Sequence, residues 1–245
     1  MLQKVPTTPI PREAKGVLRA TKDLHESFSR ENIRYCVIGS MAVVGAIGRF
    51  HRIPADVDVL YDFDKRSRVK KSLRKLGYKL QIQDNFKGTF QYPLEQYNKG
   101  RQVIEPRPVY FADNGIEVYF KLPIPFLPKF LWPWPKLCFK STMSIPKLYK
   151  TGGVEFFGLK KEACFVALNS FMGILNSFDD KVQKRKMDLS FLSRGLNKSI
   201  LKKIEQEFPG IYLGKLPIAV GKEPLLLRVY SKLKNLKNLL NPTID

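Results

Sequence analysis

The stretch from Tyr35 to Asp62, reading YCVIGSMAVVGAIGRFHRIPADVDVLYD, constrains the fold of this chain more than any other. Arg34 to Ile38 is a short, largely apolar run of strand length. Gly39-Ser40 interrupts it. Ser40 to Ile47 is a run of small and apolar residues that reads as a helix, with Gly45 and Gly48 allowing close packing. Val57 to Tyr61 then reads as a returning strand, with Asp56 and Asp58 at its mouth. Side chains at i and i+2 of a strand share a face, so the two carboxylates project together while Val57 and Val59 enter the core. Parallel carboxylates repel unless a cation neutralises them. Magnesium is the natural one, because it takes oxygen ligands and shares its shell with substrate phosphates.

Gly39-Ser40 closes a strand and opens a helix. Glycine permits the tight backbone, and the free N–H groups and dipole of a helix N-terminus suit a phosphate. Ser40 adds a hydroxyl donor, although an ordinary strand–helix turn with Ser40 as N-cap has the same sequence. A two-metal clamp needs a further acid. Glu117 in Gly-Ile-Glu-Val-Tyr-Phe is the expected one, because Ile116 and Val118 point inward and Glu117 opposite. Asp113 is the weaker choice, since Asp113-Asn114-Gly115 already makes a turn. His51 reads as a solvent-facing loop histidine.

This order of parts resembles the nucleotidyltransferase superfamily, the group that includes polymerase-beta-like enzymes. Within it, Ile38 to Leu60 is most similar to the AbiEii-type toxin and antibiotic-nucleotidyltransferase branch. That branch has Gly-Gly or Gly-Ser, an Ala-rich helix, then Arg-x-Thr-x-Asp-hydrophobic-Asp. Here the last element is Arg52-Ile53-Pro54-Ala55-Asp56-Val57-Asp58, with Pro54 in the place of threonine. The family's later basic residue before Asp-Leu is matched by Arg185-Lys186-Met187-Asp188-Leu189, whereas Asn169 stands where a lysine is common. The resemblance implies that Asp56 and Asp58 hold two magnesium ions. It implies that Glu117 binds the catalytic ion and helps activate an acceptor hydroxyl, and that Gly39 and Ser40 bind the β- and γ-phosphates of a nucleoside triphosphate. Arg52, Lys65 and Lys161 would neutralise the departing pyrophosphate.

The charge points to an acceptor. Lys and Arg number 43 against 22 Asp and Glu, a formal net charge of +21. Such an excess attracts polyanions. It gathers in 63–80, with Lys70, Lys71 and Arg74 among others, and in 181–203, with Lys184, Arg185 and Lys186. If the two stretches face each other, they form a basic cleft around the metals that suits RNA, such as a tRNA 3′ end. A toxin of this kind would also have an antitoxin-type protein partner. Two alternatives stand beside this reading. One is the same transfer onto a small molecule, although a net charge of +21 argues against a cationic aminoglycoside. The other is a non-catalytic RNA-binding protein on a decayed scaffold.

The remaining sequence gives the organisation. Residues 12–31 and 65–76 read as helices, the latter with Val69, Leu73 and Leu76 facing inward, and 77–120 reads as β-structure. The proline–aromatic run from Pro123 to Pro135 is a boundary, since it suits neither a helix nor a central strand. From about residue 160 the pattern is helical: 160–177, 180–194, 197–207 and 223–240. The expectation is an α/β (α+β) nucleotidyltransferase domain with a mixed sheet over 1–122, a connector with one strand over 123–158, and a helical domain over 159–245. No stretch reads as a signal peptide or membrane span, and Cys36, Cys138 and Cys164 are odd in number with no Cys-x-x-Cys, so the expected setting is cytoplasmic.

Overall fold

A computed structural model shows what these patterns build; it describes residues 10–83, 94–112, 115–119, 136–140, 146–169, 179–207, 210–213 and 216–220. The elements in chain order are α1 (Lys15–Arg30), β1 (Tyr35–Val37), α2 (Gly39–Ile47), β2 (Val57–Asp62), α3 (Arg66–Lys75), β3 (Lys79–Gln83), β4 (Leu94–Lys99), β5 (Gln102–Ala112) and β6 (Gly115–Tyr119). They continue with β7 (Lys136–Lys140), β8 (Lys147–Thr151), β9 (Val154–Gly158), α4 (Lys161–Asn169), α5 (Asp179–Leu192), α6 (Lys198–Glu207), β10 (Gly210–Leu213) and β11 (Leu216–Val220). The strands form one sheet in the order β11-β10-β7-β6-β5-β2-β1-β9-β8, and β4 branches from β5 to carry β3. β1 runs antiparallel to β2, while β2 runs parallel to β5. The fold is thus α/β with a mixed sheet, as the sequence led us to expect.

Alternation along the strands assigns each helix to a face. Tyr35 pairs with Tyr61 and Val37 with Val59, so these four share one side of the sheet. α1 covers that side with its apolar stripe: Phe28 meets Tyr35 and Tyr61 edge-on, at ring centroids 5.5 and 6.5 Å apart. α3 packs beside α1, with Val69 and Leu73 buried. We call this the back face. Cys36 and Leu60 point to the front face, where α2 packs against α4 and α5. α2 approaches the β8–β9 hairpin closely, since a Cβ on Gly45 would come within 2.7 Å of Phe156 and 3.0 Å of Tyr149. Burial pushes the Cys36 thiol up to about 12, which leaves it a core residue rather than a nucleophile.

Two features go beyond the sequence reading. β7 and β8 fall in the expected connector and join the sheet, as does the β10–β11 hairpin after α6. β8 reads Lys-Leu-Tyr-Lys-Thr, polar at most positions, because it is the last strand of the ordered path and only Tyr149 and Thr151 are buried. The proline–aromatic run and the expected helix over 223–240 lie outside the described residues. Among the described residues, no helix is long and apolar enough to cross a membrane.

Candidate active site

The antiparallel pairing of β1 with β2 brings Gly39 back against Asp58. The amide of Ile38 donates to the Asp58 carbonyl at 2.9 Å. Gly39 has φ +63°, in the left-handed region, and a Cβ there would collide with Asp58 Oδ2. Only glycine meets both demands without strain. Ser40 follows in the first turn of α2, and Asp56 lies two residues before Asp58, on the loop that enters β2. The parallel register of β2 with β5 then places Glu105 directly beside Asp58. From the other side, Gln96 Nε2 of β4 donates to Glu105 Oε1 at 3.2 Å.

Glu117, the acid the sequence favoured, is not brought to this place. It pairs with Tyr110, five residues further along β5 than Glu105. That is about 16 Å of strand, and a register position of opposite parity. Glu105 was missed because it sits in Ile104-Glu105-Pro106-Arg107-Pro108, and prolines argue against an inner strand. Here they fall where β5 is paired on one side, after β4 leaves at Ile104 and before β6 begins at Tyr110. The alternation of buried Ile104 and Pro106 around Glu105 was the available signal.

The loop before Asp56 is fastened from the C-terminal half. Arg52 gives two nitrogens to Asp188 on α5, Nε to Oδ1 and Nη2 to Oδ2, both at 2.7 Å. His51 Nε2 donates to the same Oδ1 at 2.5 Å. The His51 side chain is 0% exposed and that of Asp188 3%. The expectation of a solvent-facing histidine is therefore corrected: α5 covers the ring, and Phe191 lies 5.1 Å from it, centroid to centroid. Burial pushes the Asp188 carboxyl up, but the hydrogen bonds from His51 and Arg52 outweigh it and hold it below the ordinary carboxylate range. The sequence marked Arg52 and the Asp188 element separately; nothing in it showed that they meet across 136 residues.

The remaining cations lie elsewhere. Lys161 donates to the Arg194 carbonyl after α5. Lys65 stands past the far end of β2, beyond Asp62, about 13 Å of strand from Asp58. There it lines a cavity of about 630 Å³ with Asn32, Arg34 and Phe157. Lys70, Lys71 and Arg74 belong to α3 on the back face, whereas Lys184, Arg185 and Lys186 belong to α5 on the front. The two basic stretches thus lie on opposite faces of the sheet, not across one cleft, because α3 follows β2 back over the side that Val57, Val59 and Tyr61 present. Arg66 and Lys70 bond the buried Glu95 of β4, each at 2.7 Å.

Asp56 and Asp58 suit magnesium, which commonly takes one or two protein carboxylates and fills its shell with water and substrate phosphate. Among the described residues, no three His, Cys, Asp or Glu side chains are placed to hold a metal ion by themselves. A cation at this pair would complete its shell from the triphosphate.

Known proteins resemble this chain in part of its sequence and in its fold. The model of the aminoglycoside-2''-adenylyltransferase family matches residues 21–149, just over half the chain and every residue from Gly39 to Glu117. A search of curated proteins found no match. Among solved structures, the solution structure of the antibiotic-resistance factor ANT(2'')-Ia aligns with a TM-score of 0.50 at 11% identity, over 76% of this chain and 88% of that one. The lincosamide antibiotic adenylyltransferase LnuA aligns with a TM-score of 0.46 at 15% identity, over 69% of this chain and 91% of that one. A nucleotidyltransferase-like protein from Paracoccidioides brasiliensis gives 0.46 at 13% identity, over 78% and 86%. The chain is a nucleotidyltransferase, and it belongs to the aminoglycoside-2''-adenylyltransferase family.

Proposed function

We propose that this enzyme transfers a nucleoside monophosphate, with ATP as the first candidate donor, onto a hydroxyl of a small-molecule acceptor. The observation that carries this reading is the family match, which spans the residues gathered around Asp58. An aminoglycoside is the first acceptor to test. The net charge of +21 does not stand against it, because α3, the densest basic helix, lies on the face away from Asp58.

In this reading Asp56 and Asp58 would hold magnesium, which would supply positive charge to offset that of the phosphates. Glu105, rather than Glu117, accepts the proton of the acceptor hydroxyl. The acceptor oxygen bonds the α-phosphorus, the bond to the bridging oxygen breaks, and pyrophosphate leaves with the electron pair. Gly39 and Ser40 bind the β- and γ-phosphates through N–H groups at the start of α2. Arg52 acts through position: with Nε and Nη2 of its guanidinium on Asp188, it fixes the loop that presents Asp56.

The test is pyrophosphate release by purified protein with magnesium and each nucleoside triphosphate in turn. Acceptors would be a panel of aminoglycosides and lincosamides, with total RNA alongside. Pyrophosphate release that requires a small hydroxylated acceptor supports the proposal. Label moving into RNA alone would replace it with the polynucleotide reading.

A further inference from the structure

We infer that the back face, built by α3 and the adjoining part of α1, is a docking surface for the phosphate backbone of a nucleic-acid duplex, separate from the transferase site. The inference begins with an imbalance in α3. Residues Arg66–Lys75 carry six cations and no acid over three turns. Like charges at i+3 and i+4 destabilise a helix, and cations in its first turn oppose the helix dipole. The fold relieves this strain on one edge only. Arg66 and Lys70 turn inward to Glu95, whose carboxyl burial pushes up but the two cations hold below its ordinary range. The outer edge has no such relief. Arg68, Lys71, Arg74 and Lys75 are exposed, and none of them forms an ion pair with a described carboxylate.

α1 extends the row. It packs beside α3 on the same face and exposes Lys15 and Arg19, again with no carboxylate partner among the described residues. Neighbouring helices lie about 8–10 Å apart, and α3 runs from beside Phe28 and Ser29 of α1 back toward Asp23, so the six cations form a strip about 10 Å wide and about 20 Å long. That density suits a ligand with repeated, closely spaced negative charge.

The surroundings select among polyanions. An anionic membrane calls for apolar side chains that enter the interface, and none of the large apolar side chains exposed among the described residues lies on α1 or α3. Single strands are held by aromatic platforms. α3 has no aromatic residue, and on α1 Phe28 is buried while the His25 ring is held against Tyr35 and Phe157. Cations on rigid helices, with nothing to stack on a base, fit a duplex backbone read without sequence preference. This surface goes beyond the transferase reading and does not depend on it.

The experiment is fluorescence anisotropy of the full chain with a 20-base-pair RNA duplex across a salt series. Four ligands serve as comparisons: the DNA duplex of the same sequence, the single strand, anionic lipid vesicles and polyglutamate. Arg68→Gln/Lys71→Gln/Arg74→Gln/Lys75→Gln is compared with Lys184→Gln/Lys186→Gln on the front face. A third variant, Arg68→Lys/Arg74→Lys, keeps the charge. Thermal melting checks the fold of each. The inference expects duplex binding that weakens steeply with salt. The α3 variant should lose about tenfold or more at low salt, and its log–log salt slope should fall by about 3 to 4, one phosphate for each cation removed. The front-face and charge-keeping variants should bind as the native chain does. Binding by the folded α3 variant equal to the native chain overturns the inference. So does equal loss in the front-face variant, or preference for the single strand, vesicles or polyglutamate over the duplex.

Discussion

Two buried carboxylates, Asp188 on the front of the sheet and Glu95 on the back, each accept hydrogen bonds from two basic side chains and yet do different work. Asp188 is 3% exposed at its side chain and Glu95 6%. Burial raises both, and the hydrogen bonds that each accepts more than offset it, so both stay ionised. Asp188 draws His51 and Arg52 across 137 and 136 residues of sequence, and so joins α5 to the loop that carries Asp56. Glu95 draws Arg66 from 29 residues away and fastens only the inner edge of α3. The same chemistry, a buried acid under two basic side chains, joins α5 to the loop that carries Asp56 on one face and seats a helix on the other. The difference lies in what each acid spans, not in how strongly it is held.

The largest effect should come from the front face. Asp58→Asn removes the charge that the proposed reading assigns to holding a cation and keeps the shape. Transfer should fall by about a thousandfold or more, with melting close to native. Gly39→Ala tests the same spot from the other side. Its Cβ forces Asp58 aside and its φ is unsuited to alanine, so activity should drop about a hundredfold at a stability cost of about 1–3 kcal/mol. Steady-state pyrophosphate release and thermal melting read both. Near-native turnover in Asp58→Asn would show that the front-face carboxylates are not the site.

The paired acids themselves give the next test. Asp188→Ala leaves Arg52 only 20% exposed, with His51 buried beside it. It should cost about 3–5 kcal/mol, and transfer should fall as well because the Asp56 loop is released. Glu95→Gln leaves Arg66 and Lys70, about 30% exposed, able to reach water. It should cost about 1–3 kcal/mol and leave kcat at native temperature unchanged. Urea melts and kcat measured below the melting range separate stability from turnover. If Glu95→Gln lowers kcat as much as Asp188→Ala does, the division between the faces fails.

The fold was legible in the sequence wherever pattern is local. The Gly39-Ser40 turn, the alternation of Asp56 and Asp58 with Val57 and Val59, and the inward Val69 and Leu73 of α3 are all short-range signals, and the structure keeps them. What the sequence hid depends on register. Glu105 gains its place from β5 lying parallel to β2, and no local feature distinguishes it from Glu117. The His51–Arg52–Asp188 contact joins segments more than a hundred residues apart. The basic runs were plain, but a charge run does not say which face of a sheet its helix will cover. Here Val57, Val59 and Tyr61 decided that for α3.

The smallest effect should appear on acidification, and it sharpens the comparison because both acids contribute with the same sign. Each folded-state carboxyl is held below its ordinary value. The stability it gives is therefore present above the unfolded values, about 3.9 for Asp and 4.3 for Glu, and is lost as the pH falls through the lower folded values. Native melting temperature should decline below about pH 4. Asp188→Asn and Glu95→Gln, each starting from a lower plateau, should show shallower declines, and the double variant the shallowest. The two slopes should add, since the acids lie on opposite faces of the sheet and share no partner. A double variant no flatter than either single one would mean that the faces are coupled through the strands between them, and that the fastening of α3 reaches the site after all.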